Sequence, residues 1–305
     1  MSKKGAGFVP ASNIVTVSVP PQRQELWFER DGIRLHAVAA GPSDGRLVIL
    51  LHGFPEFWYS WKAQIGPLAE AGFRVVVPDQ RGYNISSKPP KVADYAIGNL
   101  VPDVLFIAGR LGREKFYLAG HDWGAAVAWA TALFAPDRVK KLAILNVPHP
   151  AVFLRSVRTN PRQMRRSWYM AFFQLPRIPE SWFSANNFAM GVKSLTASSR
   201  PGTFSAEDID QYRRAWSNPG TVTAMISWYR AFFRARPALP TDPKVHVPTR
   251  ILWGREDMFL LPEMAEQSLA YCDSAELTYF DDATHWLQHE EPEAVTAALI
   301  AHFRD

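Results

Sequence analysis

An aspartate stands at the centre of Gly120-His121-Asp122-Trp123-Gly124, between the apolar runs FYLA and AAVAWA. Glycines at both ends suit a tight strand-to-helix turn, and the central side chain occupies the place where G-x-S-x-G presents a nucleophilic serine. Aspartate changes the chemistry. With a reference pKa of about 3.9 it is ionised at neutral pH and needs no base to become a nucleophile, so it can attack a tetrahedral carbon and form an alkyl ester. On this stretch alone a plain helix N-cap explains Asp122 equally well, because aspartate is a good cap.

Three further stretches favour the chemical reading. In LLHGFPE (50–56) a glycine after an apolar run lets the backbone approach closely, which would bring the Phe54 and Trp123 amides together as two oxyanion donors. WGREDMF sets Asp257 just past another apolar run, and ATHWLQHEEP sets His285 after the next one. Nucleophile, acid and histidine then follow in the order Asp122, Asp257, His285. In that arrangement His285 takes a proton from the water that attacks the Asp122 ester, and Asp257 orients the imidazole. His285 and His289 could suggest a metal pair, but H-E-x-x-H requires Glu where Trp286 stands, so no metal is expected. His52 and His121 are expected to be hydrogen-bonded structural histidines.

The leaving group decides the reaction. An epoxide opens to an alkoxide that needs a proton, and a phenol of pKa about 10 can donate one without burying a charge. SWYMAFF (167–173) and SWYRAFF (227–233) each carry a tyrosine on a plausible helix, which makes Tyr169 and Tyr229 the candidate donors. Packing alone would account for either one by itself.

The elements that must position these residues are legible as alternation. LVILLHG, FRVVVPD, FYLAGHD, LAILNVP and TRILWGRED are short, unalternated apolar runs, as expected of strands buried on both faces of a parallel sheet. Helix-length stretches at 61–71, 97–111 and 124–134 lie between them, giving a doubly wound α/β sheet, and 24–41 reads as a leading hairpin around Asp31-Gly32. Ligands bind outside the carboxyl ends of such strands. The alternation stops near 148 and resumes near 240; the aromatic, arginine-rich block between is expected to be a helical insertion.

The 305 residues carry a net charge of +5, 47% hydrophobic and 21% charged side chains and one cysteine, Cys272. That composition is ordinary for a folded protein, excludes an internal disulfide and fits a reducing, cytoplasmic setting. Arg155, Arg158, Arg162, Arg165 and Arg166 come without a nucleic-acid motif and are expected on a solvated helix face, so no nucleic-acid partner is expected. The first residues lack an unbroken apolar segment and no run is long enough to span a membrane, so no membrane partner is expected either.

Together HGFPEFWYSW, DQRGYNISSKP, GHDWGA, SWYMAFFQLP, SWYRAFF, WGREDMF and THWLQHEEP resemble the α/β-hydrolase-fold epoxide hydrolases of the soluble branch. The resemblance runs in order from about residue 24 through nearly the whole chain. It implies an α/β-hydrolase core at 1–147 and 241–305 with a helical cap at 148–240. It implies conversion of an epoxide and water to a vicinal diol without a cofactor, with Asp122 as nucleophile, His285 as base, Asp257 as its partner, and Tyr169 and Tyr229 as ring-opening acids. A cis bond before Pro55 and an oxyanion role for the Phe54 and Trp123 amides follow from His52-Gly53-Phe54-Pro55. The lining it implies includes Pro55, Trp58, Met258, Trp286 and Leu287 beside Phe54 and Trp123. The assembly is left open, a homodimer included. A haloalkane or haloacetate dehalogenase would use the same aspartate, and Trp123 is shared with the haloalkane enzymes. Fluoroacetate-type relatives carry Arg after the aspartate, and the two tyrosines favour the epoxide. A non-catalytic ligand-binding homologue is the reading of another class, and the complete triad argues against it.

Overall fold

The first two strands, β1 (Gln24–Arg30) and β2 (Ile33–Ala40), form an antiparallel hairpin. Its two turn residues, Asp31 and Gly32, both have positive φ, as a two-residue turn matched to strand twist requires. This computed structural model describes residues 23–235 and 240–304. The expectations for residues 1–22 and for the insertion at 236–239 lie outside the described residues.

The remaining strands are β3 (Arg46–Leu51), β4 (Phe73–Pro78), β5 (Phe116–His121), β6 (Val139–Leu145), β7 (Thr249–Gly254) and β8 (Ala275–Phe280). The sheet runs β1-β2-β4-β3-β5-β6-β7-β8, parallel from β4 to β8, with β2 antiparallel to both of its neighbours. The apolar runs are unbroken because both faces are covered. Along β3, Leu47, Ile49 and Leu51 enter one hydrophobic layer while Val48 and Leu50 enter the other. Helices α1 (Lys62–Glu70) and α12 (Pro292–Arg304) cover the second layer, contributing Ile65, Leu68, Val295, Leu299 and Phe303. Helices α2 (Ile97–Arg110) and α3 (Trp123–Phe134) cover the first, through Leu100, Val104, Val127 and Trp129.

Strand order reverses direction at β3, which pairs with β4 on one side and β5 on the other. Leu51 lies opposite Gly120, so the loops leaving β3 and β5 emerge side by side at the switch point where such sheets bind ligands.

Between β6 and β7 the elements among the described residues are the helices α4 (Pro150–Thr159), α5 (Pro161–Arg166), α6 (Trp168–Phe172), α7 (Ile178–Thr196), α8 (Ala206–Ser217) and α9 (Thr221–Arg234), followed by a single β-bridge from Val245 to Cys272. Beyond β7 follow α10 (Glu263–Leu269) and, after β8, α11 (Leu287–Glu290). Three aromatic side chains seat the helical stretch on the strand-end loops through their polar tips. Trp216 donates its indole N–H to the Pro55 carbonyl (2.6 Å), Trp228 to the Arg81 carbonyl (2.9 Å), and Tyr212 its hydroxyl to Glu56 (2.8 Å). Among the described residues, no helix is long and apolar enough to cross a membrane.

Candidate active site

Asp122 occupies the N-cap position of α3 but does not cap it. Its backbone is left-handed (φ 49°, ψ −125°), its side chain makes no capping hydrogen bond, and Oδ1 instead accepts the Phe54 amide at 2.7 Å. Of the two readings of this turn, the geometry takes the exposed elbow. The glycines are required by contact: a Cβ at Gly120 would lie 2.4 Å from the Gly124 carbonyl oxygen, one at Gly124 would lie 2.3 Å from the Leu51 carbonyl oxygen, and one at Gly53 would lie 2.3 Å from the Asp122 Cβ. The Phe54–Pro55 bond is cis. Trp123 opens α3, so its amide has no acceptor within the helix.

His285 faces Asp122 across 3.5 Å, from Nε2 to Oδ2, and its Nδ1 donates to Asp257 Oδ2 at 2.7 Å. Burial alone would lower the imidazole pKa, but the Asp257 and Asp122 carboxylates win and hold it up to about 10. Burial likewise works to raise the Asp122 carboxyl; His285 outweighs it and keeps the carboxyl below its usual range. Asp257 is fixed by four donors: the Phe259 and Leu260 amides on Oδ1 (2.7 and 3.0 Å), and His285 and the Asn146 side chain (2.8 Å) on Oδ2.

A cavity of about 570 Å³ opens over this group, with Phe54, Pro55, Asp122, Met258, His285 and Trp286 in its wall. Tyr169, on α6, and Tyr229, on α9, enter the same wall, their rings edge to face at 5.8 Å. A second, smaller cavity of about 100 Å³ also reaches Asp122, is bounded by Trp123, and shares both tyrosines. Burial, then the charge of Asp122, pushes both phenols above their ordinary pKa, so they keep their protons. Tyr229 packs on Phe54 and Trp123 (5.3 and 5.1 Å), and Tyr169 on Phe259, whose ring lies 5.2 Å from that of His285.

The twin segments are not equivalent. Trp228 is 1% exposed and anchors α9, whereas Trp168 is 60% exposed at the cavity rim. Arg230 joins them: it donates to the Phe173 and Leu175 carbonyls at the end of the Tyr169 segment and pairs with Glu180 (2.6 Å).

Two expected lining residues lie elsewhere. Trp58 packs on Phe57 and Tyr59, with the Arg23 guanidinium over its ring, and its amide is committed to Asp79 (2.9 Å). Leu287 is fully buried in the layer beneath α12. It follows Trp286 at the start of a helix, where successive side chains diverge by about 100°, so with Trp286 in the cavity Leu287 must point away. The arginine cluster is also more than a solvated face: Arg158 is exposed, but Arg165 and Arg166 border the cavity because the six-residue α5 crosses its rim.

A buried cluster was not foreseen. Glu56, on the loop after β3, accepts from Tyr212 (2.8 Å) and pairs with His289 (2.7 Å) and His121 (3.2 Å), and His121 Nε2 bonds the His285 carbonyl (2.7 Å). Burial opposes the Glu56 charge, yet the two histidines hold its carboxyl far below the usual range. His289 thus points at Glu56. His52, with burial lowering its pKa, accepts the Gln80 amide (3.0 Å) on Nε2.

The eight-stranded sheet with an elbow after β5 and a histidine after β8 defines a class, and sequence comparison agrees: the chain belongs to the α/β-hydrolase fold family, whose pattern matches residues 46–292. It is 43% identical over 276 residues to the AB hydrolase superfamily protein YfhM of Bacillus subtilis, covering 90% of this chain and 96% of that protein. It is 38% identical over 281 residues to Epoxide hydrolase 4 of Mus musculus, covering 90% of this chain and 77% of that one. Among solved structures, the Bacillus megaterium epoxide hydrolase in complex with an inhibitor superposes with a TM-score of 0.84 at 32% identity, covering 92% of this chain and 100% of that one.

Proposed function

We propose that this protein is an epoxide hydrolase that converts an epoxide and water to a vicinal diol through an ester on Asp122, with residues 148–240 as its cap and 1–147 with 241–305 as its core. The observation that carries the reading is the meeting, in one cavity, of an ionised elbow carboxylate with two protonated phenols. The relatives named as epoxide hydrolases support it. The substrate is a small epoxide, and the single Cys272 keeps the reducing cytoplasm as the proposed setting.

The atoms balance as follows. Oδ2 of Asp122 attacks a ring carbon, the C–O bond breaks, and the alkoxide takes a proton from Tyr169 or Tyr229. Oδ1, already on the Phe54 amide, becomes the ester carbonyl oxygen. Esterification removes the negative charge that held His285 protonated, so the imidazolium proton is released and restores the phenol. Neutral His285 then takes a proton from water as the hydroxide adds to the ester carbonyl carbon, and the oxyanion rests on the Phe54 and Trp123 amides. Collapse expels the diol oxygen, which takes that proton. The proton left on the regenerated Asp122 carboxyl returns to His285.

His285→Gln should therefore still open epoxides but hydrolyse the ester about 10²- to 10⁴-fold more slowly. Intact mass should rise by that of the whole epoxide, mapping to the peptide that holds Asp122, and Asp122→Ala should gain nothing. Diol formed by His285→Gln at the wild-type rate with no adduct would sink the mechanism. Halide release from haloalkanes without diol from epoxides would replace it with the dehalogenase reading.

A further inference from the structure

We infer that the rim of the larger cavity is a docking face for an anionic lipid bilayer, on whose surface the protein rests without crossing it. The inference concerns where the protein sits and does not depend on the reaction at Asp122.

Charge is unevenly distributed along the chain. Residues 148–200 hold seven arginines and one lysine but a single carboxylate, Glu180, so this stretch carries more positive charge than the +5 of the whole protein, and the remainder is slightly acidic. Glu180 is paired with Arg230 (2.6 Å). Of the eight cations, Arg162 and Arg200 reach carboxylates elsewhere in the fold. Among the described residues, Arg155, Arg158, Arg165, Arg166, Arg177 and Lys193 have no carboxylate within ion-pair distance.

Apolar exposure is concentrated in the same stretch. Ten large apolar side chains are exposed among the described residues, and five of them, Met164, Trp168, Leu175, Ile178 and Trp182, fall between 164 and 182. A sixth, Met258, borders the same cavity as Trp168 and Trp182. Phe172 bridges the two tryptophans, its ring centre 6.1 Å from that of Trp168 and 5.4 Å from that of Trp182. The backbone beneath is fixed. Arg230 fastens the turn after α6 through the Phe173 and Leu175 carbonyls and holds the start of α7 through Glu180. Exposed apolar groups on a rigid support mark a surface meant to be covered.

The combination selects the occupant. A second copy of the chain, docked face to face, would set these cations against themselves. A nucleic acid would use the arginines but press Leu175, Ile178 and Met258 against charged phosphates. A bilayer surface offers both partners together: phosphates for the guanidinium groups, and just beneath them the acyl boundary, where tryptophan is a favoured anchor. That no described helix is long and apolar enough to cross a membrane bears on spanning, not on resting against a surface. The larger cavity, bordered by Trp168, Trp182 and Met258, then opens toward the lipid.

The test sediments the full chain with phosphatidylcholine vesicles made with and without phosphatidylglycerol. Binding should require phosphatidylglycerol and should fall as salt is raised toward about 1 M. A cation near such a surface contributes about fivefold in affinity, so Arg165→Gln with Arg177→Gln should weaken binding about 25-fold. Leu175→Ser with Ile178→Ser should weaken it about tenfold by removing the apolar contact. Thermal unfolding of each variant controls for the fold. Lipids brominated on their acyl chains should quench wild-type tryptophan fluorescence, and the quenching should largely disappear in Trp168→Phe with Trp182→Phe. The inference is overturned if the wild type sediments no better with phosphatidylglycerol than without it, or if binding survives both double variants. Binding lost in the arginine variant but intact in the serine variant and unquenched by the brominated lipid would assign the face to a soluble polyanion and overturn the bilayer. Concentration-dependent dimerisation without vesicle binding would assign it to a second copy and overturn it equally.

Discussion

Esterification of Asp122 removes the charge facing His285, and Asp122→Asn removes the same charge without substrate while keeping the shape of the group. At the observed 3.5 Å the two charges interact by about 4.7 kcal/mol at an effective dielectric near 20, an upper bound because the amide dipole and relaxation offset part of it. Opposite charges at such range commonly move a pKa by about 1–3. The sign is fixed: Asp122 favours the imidazolium, so its loss lowers the midpoint. His285, held up to about 10 in the free enzyme, should titrate about 1–3 pH units lower in Asp122→Asn, still supported by Asp257 at 2.7 Å. Histidine ring NMR across a pH series, with His285→Gln to assign the resonance, measures it directly. Single-turnover kinetics provide the counterpart, since ester hydrolysis should rise with pH through the lower midpoint while ring opening does not. An unchanged His285 midpoint in Asp122→Asn would refute the account of how one histidine serves as counter-ion and then as base.

Gly120→Ala sets a methyl 2.4 Å from the Gly124 carbonyl oxygen, inside the backbone of the elbow, and should destabilise the fold by about 1–3 kcal/mol or more in urea unfolding, with loss of turnover. Arg230→Met leaves Glu180 without its cation and frees the end of the segment bearing Tyr169; stability should fall by about 3 kcal/mol, and ring opening should slow more than ester hydrolysis in stopped-flow traces. Glu56→Gln tests the buried cluster by pH. The folded-state carboxyl lies below its ordinary value of 4.5, so its charge stabilises in full above that pH and less as pH falls; the gap in thermal stability between wild type and variant should be constant near neutrality and close in acid.

What the sequence made legible is what the chain punctuates locally. Asp122 and Asp257 follow the ends of the buried strands β5 and β7 and His285 follows β8, and the parallel sheet brings those strand ends together, so the order of motifs sufficed to bring the three side chains together. Glu56 stands in full view in HGFPE, but its partners Tyr212, His121 and His289 come from three distant stretches, and no spacing links them. Asn146 escaped notice likewise: its positive φ and its bond to Asp257 exist only once β6 and β7 are neighbours. Trp58 and Leu287 show the opposite failure. The resemblance implied a lining role for both, but the direction of a side chain is set by the turn that carries it. Strand β8 left a weak signal because AELTYF, at the sheet edge, is only half-buried.

The position of charge explains why a carboxylate works at a turn that otherwise suits serine. A serine elbow rests neutral and needs its histidine at the outset, to take a proton. Here the nucleophile rests charged beneath a largely apolar cavity, where burial alone would shift the pKa of a carboxylate upward. His285 prevents that, at 3.5 Å, by carrying a positive charge that Asp257, fixed by its three other donors, holds in register. Its first task is therefore electrostatic and its second is chemical, and the switch between them needs no movement, because forming the ester itself removes the reason for the histidine to be charged. The cap completes this logic from above: two phenols supply a proton while adding no charge, and Asp122 and His285 remain the ion pair that the reaction alternately separates and restores.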